Sequence, residues 1–250
     1  VLDLSRVLAG PWAGQILGDL GAEVIKVERP GRGDDTRAWG PPFVGPDEAR
    51  ESTYFLSANR NKESVVLDLK DPADSQVLAR LVERADVLME NYRGGGLERL
   101  GFGTERLHSL NPRLVVLSIT GFGHDGPEAQ RAGYDQIAPG EGGLMSLTGS
   151  GTPTKVGVPI ADLVAGMNAA FGVLAALRTG ELVAAATPVA DLDAGGDEAL
   201  GYGGYLFGEL TCGDVGPRPA GLALEGNEVR ALLLVSVNRV GHRCIFGNGE

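Results

Sequence analysis

Hydrophobic residues form short blocks that alternate with amphipathic segments over the first 120 residues of the chain. The blocks are apolar throughout, which is typical of strands buried on both faces of a sheet, and the segments between them have helical spacing. This alternation predicts an α/β fold, a Rossmann-like parallel sheet with helices on both faces. The predicted strands are residues 1–4, 22–27, 64–69, 86–90 and 114–119, and the predicted helices are 11–20, 72–84, 97–100 and 104–110.

Two segments lack this alternation. Residues 29–46 are rich in Gly, Pro, Asp and Arg, which predicts a loop. From about residue 181 no sustained periodicity remains, and only the apolar runs 183–190 and 230–237 are candidates for further elements. We therefore separate residues 1–180, which follow the α/β pattern, from a divergent tail of uncertain structure at 181–250.

A single carboxylate, Asp162, stands where a strand-like apolar run turns into a long apolar helix. An acid in the first turn of a helix accepts hydrogen bonds from free backbone N–H groups and complements the helix dipole. The alternative role is that of a nucleophile, which is far rarer. Spacing alone favours the cap.

Composition excludes several classes of protein. A net charge of -11 argues against nucleic acid and against an anionic membrane surface as partners. Cys212 and Cys244 are far apart and near no His-rich spacing, so we expect no metal site. We find no apolar run of the roughly 18 to 20 uncharged residues that a membrane span needs, and no export signal, which predicts a cytoplasmic protein.

Basic side chains and one amide follow several of the predicted strands. Ligands of parallel sheets bind beyond the carboxyl ends of the strands, so these side chains predict a phosphorylated ligand. Neither the dinucleotide fingerprint nor the P-loop pattern occurs at a strand-to-helix turn, which disfavours a classical NAD or ATP site. The residues concerned are Arg29, Arg32, Lys70, Asn91 and Arg93.

Several motifs follow one another in a fixed order along the chain. They are LDLSRVLAGPWAGQILGDLGAEVIKVERPGRGDDTRAWGPPF, ESTYFLSANRNKESVVLDLKDP, ADVLMENYRGGGLERLGFG, LNPRLVVLSITGFGHDGP and QRAGYDQIAPGEGGLMSLTG. Together they resemble the class III CoA-transferases, the formyl-CoA and carnitine CoA-transferase (CaiB/BaiF-like) family. The resemblance covers about residues 1–180, and its form is closest to the branch that moves CoA from succinyl-CoA to glutarate.

The resemblance implies that Asp162 is the nucleophile. Attack of this carboxylate on an acyl-CoA thioester gives a mixed anhydride, and the returning CoA thiolate leaves an aspartyl-CoA thioester. The acceptor acid then reverses these steps. Each step exchanges carboxylate for carboxylate or thiolate for thiolate, so the resemblance implies a CoA thioester as substrate and no permanently bound cofactor.

The resemblance also implies a set of CoA-contacting positions. They fall on the turn after the first strand, after the second strand, at the end of the third strand, after the fourth strand, in the short helix that follows it, and before the Asp162 helix. Asp135 matches an acidic partner found in several family members. The implied CoA-binding residues are Leu8, Ala9, Arg29, Leu67, Asp68, Leu69, Lys70, Asn91, Tyr92, Arg93, Arg99, Arg131, Ala132, Gly133 and Tyr134.

Two alternatives stay open. The related α-methylacyl-CoA racemases have a His where this chain has Tyr134, and because tyrosine is a poor base at neutral pH we rank a racemase below a transferase. The second domain of the family is not recognisable after residue 180. We therefore also consider a non-catalytic, truncated CoA-binding remnant, and we regard as doubtful for this chain the interlocked homodimer that the resemblance implies.

Overall fold

The structure, a computed structural model, describes residues 1–124, 127–179 and 207–212. Short strands alternate with helices along this part of the chain. The strands are β1 (Leu2–Asp3), β2 (Ile25–Glu28), β3 (Phe43–Val44), β4 (Glu51–Ser52), β5 (Glu63–Val66), β6 (Val87–Glu90), β7 (Val115–Thr120) and β8 (Phe207–Cys212). The helices are α1 (Ala9–Asp19), α2 (Thr53–Asn59), α3 (Pro72–Val82), α4 (Gly96–Arg99), α5 (Thr104–Leu110), α6 (Ile137–Glu141), α7 (Leu144–Leu147) and α8 (Ile160–Thr179).

The main sheet has the order β5-β2-β1-β6-β7-β8. Its first five strands pair in parallel, and β8 pairs antiparallel with β7. From β1 the chain first builds outward through β2 and β5, then returns and builds the other way through β6 and β7. The order therefore reverses between β1 and β6, and the crevice beyond the carboxyl ends of these two strands is where such sheets bind ligands.

Helices cover both faces of the sheet, as predicted. On one face α1 and α8 pack against β6 and β7 through small and branched side chains, including Ala13, Ala169 and Val173. On the other face Leu78 and Val82 of α3 and Leu107 of α5 are almost completely buried. The mostly parallel sheet with helices on both sides confirms the predicted α/β class.

Helix α8 is long and strongly apolar. Residues 160–178 are long and apolar enough to cross a membrane by length and composition, although Asp162 and Arg178 keep the uncharged run shorter than the roughly 18 to 20 residues of our sequence criterion. Ala169, Ala170, Val173 and Ala176 are nevertheless buried in the core against the sheet and α1. A core helix passes the same test of length and hydropathy.

Three local predictions were wrong. The segment 29–46 is not only loop, because it contains a 3-10 turn at Asp35–Ala38 and strand β3, which forms a hairpin with β4. Strand β5 lies at the edge of the sheet and is largely exposed, so it is not a strand buried on both faces. The tail contributes β8, between the runs 183–190 and 230–237, which lie outside the described residues.

Candidate active site

The Asp162 side chain lies in the first turn of α8 and is only 9% exposed. The cap of this helix is Asp135, whose Oδ1 accepts hydrogen bonds from the N–H groups of Ala161 (2.9 Å) and Asp162 (3.2 Å). Among the described residues, no side chain or backbone group donates a hydrogen bond to the Asp162 carboxylate. The expected capping role therefore belongs to Asp135, and the carboxylate of Asp162 is uncommitted.

Burial raises the pKa of Asp162 to about 7, and the negative charge of Asp135 adds to this effect. Desolvation disfavours the charged form of a carboxylate, and a nearby like charge does the same. A substantial fraction of Asp162 is thus ionised at neutral pH. That carboxylate is poorly solvated and is a better nucleophile than one stabilised by several hydrogen bonds.

Two glycines bring Asp135 to α8. The backbone of Gly133 lies directly against that of Gly121 just beyond β7, and a Cβ on either residue would collide with the backbone of the other. The segment that follows Gly133 therefore starts against the sheet edge. Asp135 then reaches the first turn of α8 although the two residues are far apart in the sequence.

Gly166 sets a second close approach, between α8 and α1. A Cβ there would lie 2.5 Å from the carbonyl oxygen of Ala9 and 2.9 Å from Cδ1 of Trp12. Since Gly166 is one turn after Asp162, this crossing places the first turn of α1 beside the carboxylate. Leu8 and Ala9 consequently line the same cavity as Asp162.

The turn between β1 and α1 is held by side chains. Asn91 pairs with both backbone groups of Arg6: Oδ1 accepts from Arg6 N at 2.9 Å and Nδ2 donates to Arg6 O at 2.7 Å. The next residue, Val7, has a φ of 72°, a strained conformation for a β-branched side chain. Its N–H donates to Oδ1 of Asp34 at 3.3 Å. The turn keeps this conformation because neighbouring elements determine it.

Buried ion pairs support that turn from below. Nζ of Lys62 lies 2.8 Å from Oδ2 of Asp3, and Nζ of Lys26 lies 3.0 Å from Oδ2 of Asp34. All four side chains are almost fully buried. Lys26 also donates to the Ser5 carbonyl oxygen at 2.9 Å. Such pairs are costly to break because a lone buried charge is left behind.

A cavity opens at the carboxyl edge of the sheet, with Asp162 in its wall. It combines the turns after β1, β6 and β7 with the segment that precedes α6, and it contains ten of the predicted CoA-binding positions or catalytic residues. Those ten are Leu8, Ala9, Asn91, Tyr92, Arg93, Arg131, Ala132, Gly133, Tyr134 and Asp162.

A second cavity lies at the same edge, over β2 and the segment after β5. Five further predicted residues line it, and Arg6 and Tyr92 line both cavities, so the two meet at these side chains. The five are Arg29, Leu67, Asp68, Leu69 and Lys70.

Three predicted residues, Arg32, Arg99 and Asp135, lie outside these linings, and Arg32 is exposed on the surface. Asp135 acts on the site through the backbone of α8, and Arg99 donates to the carbonyl oxygen of Gly94 at 3.3 Å.

The sequence analysis missed Arg6, although it follows the carboxyl end of β1, the position from which the other basic residues were selected. It also missed Tyr54, whose pKa is raised to about 12 by burial and by the negative charges of Asp162 and Asp135. Within the described ranges no group of His, Cys, Asp and Glu side chains could hold a metal ion.

The sequence model of CoA-transferase family III matches residues 1–184. The chain belongs to this family. It is 51% identical over 179 residues to the succinyl-CoA:glutarate CoA-transferase of Homo sapiens, covering 71% of this chain and 40% of that protein. It is 51% identical over 189 residues to the succinate–glutarate CoA-transferase of Agrobacterium fabrum, covering 72% of this chain and 47% of that protein.

Solved structures agree with this assignment. A CaiB/BaiF family protein from Brucella suis superposes with a TM-score of 0.69 at 48% identity, covering 72% of this chain and 49% of that one. The protein Rv3272 from Mycobacterium tuberculosis gives a TM-score of 0.65 at 40% identity, with the same shares. The chain thus spans about half the length of the relatives that it matches.

Proposed function

We propose that this chain carries the nucleophile of a CoA-transferase that moves CoA from an acyl-CoA, succinyl-CoA, to a dicarboxylate such as glutarate. The observation that carries the proposal is Asp162: a buried carboxylate without a hydrogen-bond donor among the described residues, in the wall of a cavity at the ligand-binding edge. Two relatives with 51% identity are named for exchange between succinate and glutarate, which supports the choice of acids.

The proposed reaction exchanges bonds without net proton transfer. A carboxylate oxygen of Asp162 attacks the carbonyl carbon of the succinyl thioester. The C–S bond breaks, CoA departs as its thiolate, and a mixed anhydride of Asp162 and succinate forms. The thiolate attacks the aspartyl carbonyl of that anhydride and expels succinate, which gives the aspartyl-CoA thioester. Glutarate then attacks this thioester, and the thiolate attacks the glutaryl carbonyl of the second anhydride. Glutaryl-CoA leaves and the Asp162 carboxylate is restored.

CoA would extend across both cavities. Its nucleotide would lie at Leu67–Lys70 and Arg29, and its pantetheine arm would pass Arg6 and Tyr92 to reach Asp162. Arginine suits the phosphates because its guanidinium can form paired hydrogen bonds with them. In this arrangement CoA is a substrate, and we propose no permanently bound cofactor.

The wider assignments follow from the family. We propose that residues 1–180 form the N-terminal part of the large domain and that residues 181–250 are a divergent tail. A cytoplasmic homodimer is the proposed setting.

A CoA-binding remnant without activity is the second candidate, and the two adjoining cavities at the carboxyl edge of the sheet support binding without transfer. A racemase is the third, and the 62% exposure of Tyr134, at the position of the racemase base, counts against it.

One experiment separates these functions. The 250-residue protein is incubated with succinyl-CoA, with and without glutarate, and the peptide containing Asp162 is analysed by mass spectrometry. We expect a CoA adduct on Asp162 that glutarate discharges as glutaryl-CoA, and no adduct in Asp162→Ala. Binding of CoA without an adduct identifies the remnant, and epimerisation of a 2-methylacyl-CoA identifies the racemase. Full transfer by Asp162→Ala would refute the mechanism.

A further inference from the structure

Asp35 links two arginines at the meeting point of the cavities. Its Oδ2 lies 2.9 Å from Nη1 of Arg6, and its Oδ1 pairs with Nη2 of Arg29. Arg29 lines the second cavity and Arg6 lines both. About two fifths of each of these three side chains is exposed to solvent. A carboxylate therefore sits between the two cations that a phosphorylated ligand would meet in this groove.

The fold does not need the Asp35 carboxylate to hold its own turn. The neighbouring Asp34 side chain caps the 3-10 turn and pairs with buried Lys26. Glu28 accepts from the N–H of Asp34 at 2.8 Å and from Nε of Arg37 at 2.7 Å. The backbone at Asp35 is thus fixed from both sides, and its side chain can leave the arginines while the turn stays folded.

The energetic balance favours exchange with phosphate. Solvent-exposed ion pairs contribute little to stability, so Asp35 holds the arginines weakly. A phosphate carries more charge than a carboxylate and offers more acceptor oxygens to a guanidinium. Arg6 and Arg29 can therefore move from Asp35 to a phosphate at little cost.

We propose that Asp35 is an internal competitor for the phosphates of CoA: it keeps Arg6 and Arg29 together in the free protein and is displaced when the nucleotide end binds. This proposal rests on the proposed function only for the location of CoA. It predicts that Asp35 lowers the affinity for phosphate-bearing ligands and has no effect on ligands without phosphate.

The test measures direct binding of three ligands by calorimetry at low ionic strength. The ligands are CoA, 3′-phosphoadenosine 5′-diphosphate and pantetheine. With Asp35→Asn we expect Kd for both phosphate ligands to fall about three- to tenfold, since one opposing charge near the phosphates is removed. The Kd of pantetheine should not change. The gain for the phosphate ligands should shrink in high salt.

The control variant is Asp19→Asn. Asp19 is the last residue of α1, at the end of the helix away from the cavities, and it pairs with Arg60 as Asp35 pairs with Arg29. Asp19→Asn removes the same charge as Asp35→Asn and should leave the affinities for all three ligands unchanged.

Equal or weaker phosphate binding by Asp35→Asn would overturn the proposal, as would an equal gain in Asp19→Asn. Absence of CoA and nucleotide binding in every variant would overturn both this proposal and the assigned CoA site. Tighter binding without transfer activity would support the competitor role and count only against the proposed function.

Discussion

The Asp135 side chain caps the helix that presents Asp162, and the same carboxylate disfavours ionisation of Asp162. One oxygen accepts from the N–H of Asp162 at 3.2 Å, which fixes the first turn of α8. The charge of that group raises the pKa of the neighbouring carboxyl beyond the effect of burial. Position and charge of Asp135 therefore act on Asp162 in separable ways.

Asp135→Asn should separate these effects. Asparagine keeps a carbonyl oxygen that can accept from Ala161 and Asp162, but it removes the negative charge. We expect the pKa of Asp162 to fall below its present value of about 7 while the protein keeps its stability. The pKa is measured from the rate of CoA-adduct formation between pH 5.5 and 8.5. The acid limb of this pH–rate profile should move to lower pH in Asp135→Asn.

Asp135→Ala is the comparison variant, because it removes both charge and cap. It should lower the free energy of unfolding by about 1 kcal/mol, the usual cost of a lost cap. An acid limb that stays in place or moves to higher pH in Asp135→Asn would contradict the assignment.

The buried carboxyl of Asp162 should also make stability depend on pH. Its pKa is raised from 3.8 to about 7 in the folded state. Binding of a proton to Asp162 therefore contributes fully to the free energy of unfolding below pH 3.8, and this contribution is lost as the pH rises through 7. At pH 8.5 the buried charge therefore destabilises the fold. We expect Asp162→Asn to unfold at a higher urea concentration than the wild type at pH 8.5, with a gain of ~1 to 4 kcal/mol that nearly disappears at pH 4.

Exposed Asp47 provides the control for this measurement, since Asp47→Asn removes an equal charge from a surface turn. A larger gain for Asp162→Asn at pH 4 than at pH 8.5 would show that burial of the charge is not the destabilising factor. The expected result would mean that the proposed nucleophile is kept at the expense of stability.

The parallel strands other than β5 could be predicted because their apolar runs are buried from both sides. Helix α2 and the β3–β4 hairpin could not, since they are short and depend on contacts between segments. Ser52, for example, caps α2 and also donates from Oγ to the Trp39 carbonyl oxygen. Lys26 reads as a polar residue in an apolar strand, and only the structure shows its buried partner Asp34.

The position of Asp162 at the start of a helix is visible in the sequence, but the identity of its cap is not. Asp135 belongs to a separate segment, and nothing local connects the two residues. Their contact depends on the crossing of Gly121 and Gly133 and on the start of α8. The sequence suggests which groups do chemistry near a strand end, whereas the pairing of those groups requires the folded chain.

Gly166 should tolerate no side chain. In Gly166→Ala the new Cβ would lie 2.5 Å from the Ala9 carbonyl oxygen, so α8 must move away from α1. We expect a loss of about 1 to 3 kcal/mol in the free energy of unfolding and a large loss of CoA-adduct formation. Gly157→Ala is the matched control, because Gly157 precedes the same helix and has open space at its Cβ position. Equal behaviour of the two variants would show that the crossing does not position Asp162.

Asn91 should position the turn before α1 through its carboxamide. Asn91→Ala leaves both backbone groups of Arg6 without these partners, and Val7 then has less to hold it at a φ of 72°. We expect a loss of about 1 to 3 kcal/mol in stability and, in addition, weaker binding of CoA.

Asn111→Ala is the matched control for Asn91→Ala. Nδ2 of Asn111 donates to two carbonyl oxygens, those of Val82 and Ala85, and Asn111 lies outside both cavities. Both variants should lower the urea midpoint, but only Asn91→Ala should raise the Kd of CoA under conditions where each protein is fully folded. If Asn111→Ala weakens CoA binding as much, or Asn91→Ala leaves it unchanged, the carboxamide of Asn91 supports the fold without shaping the site.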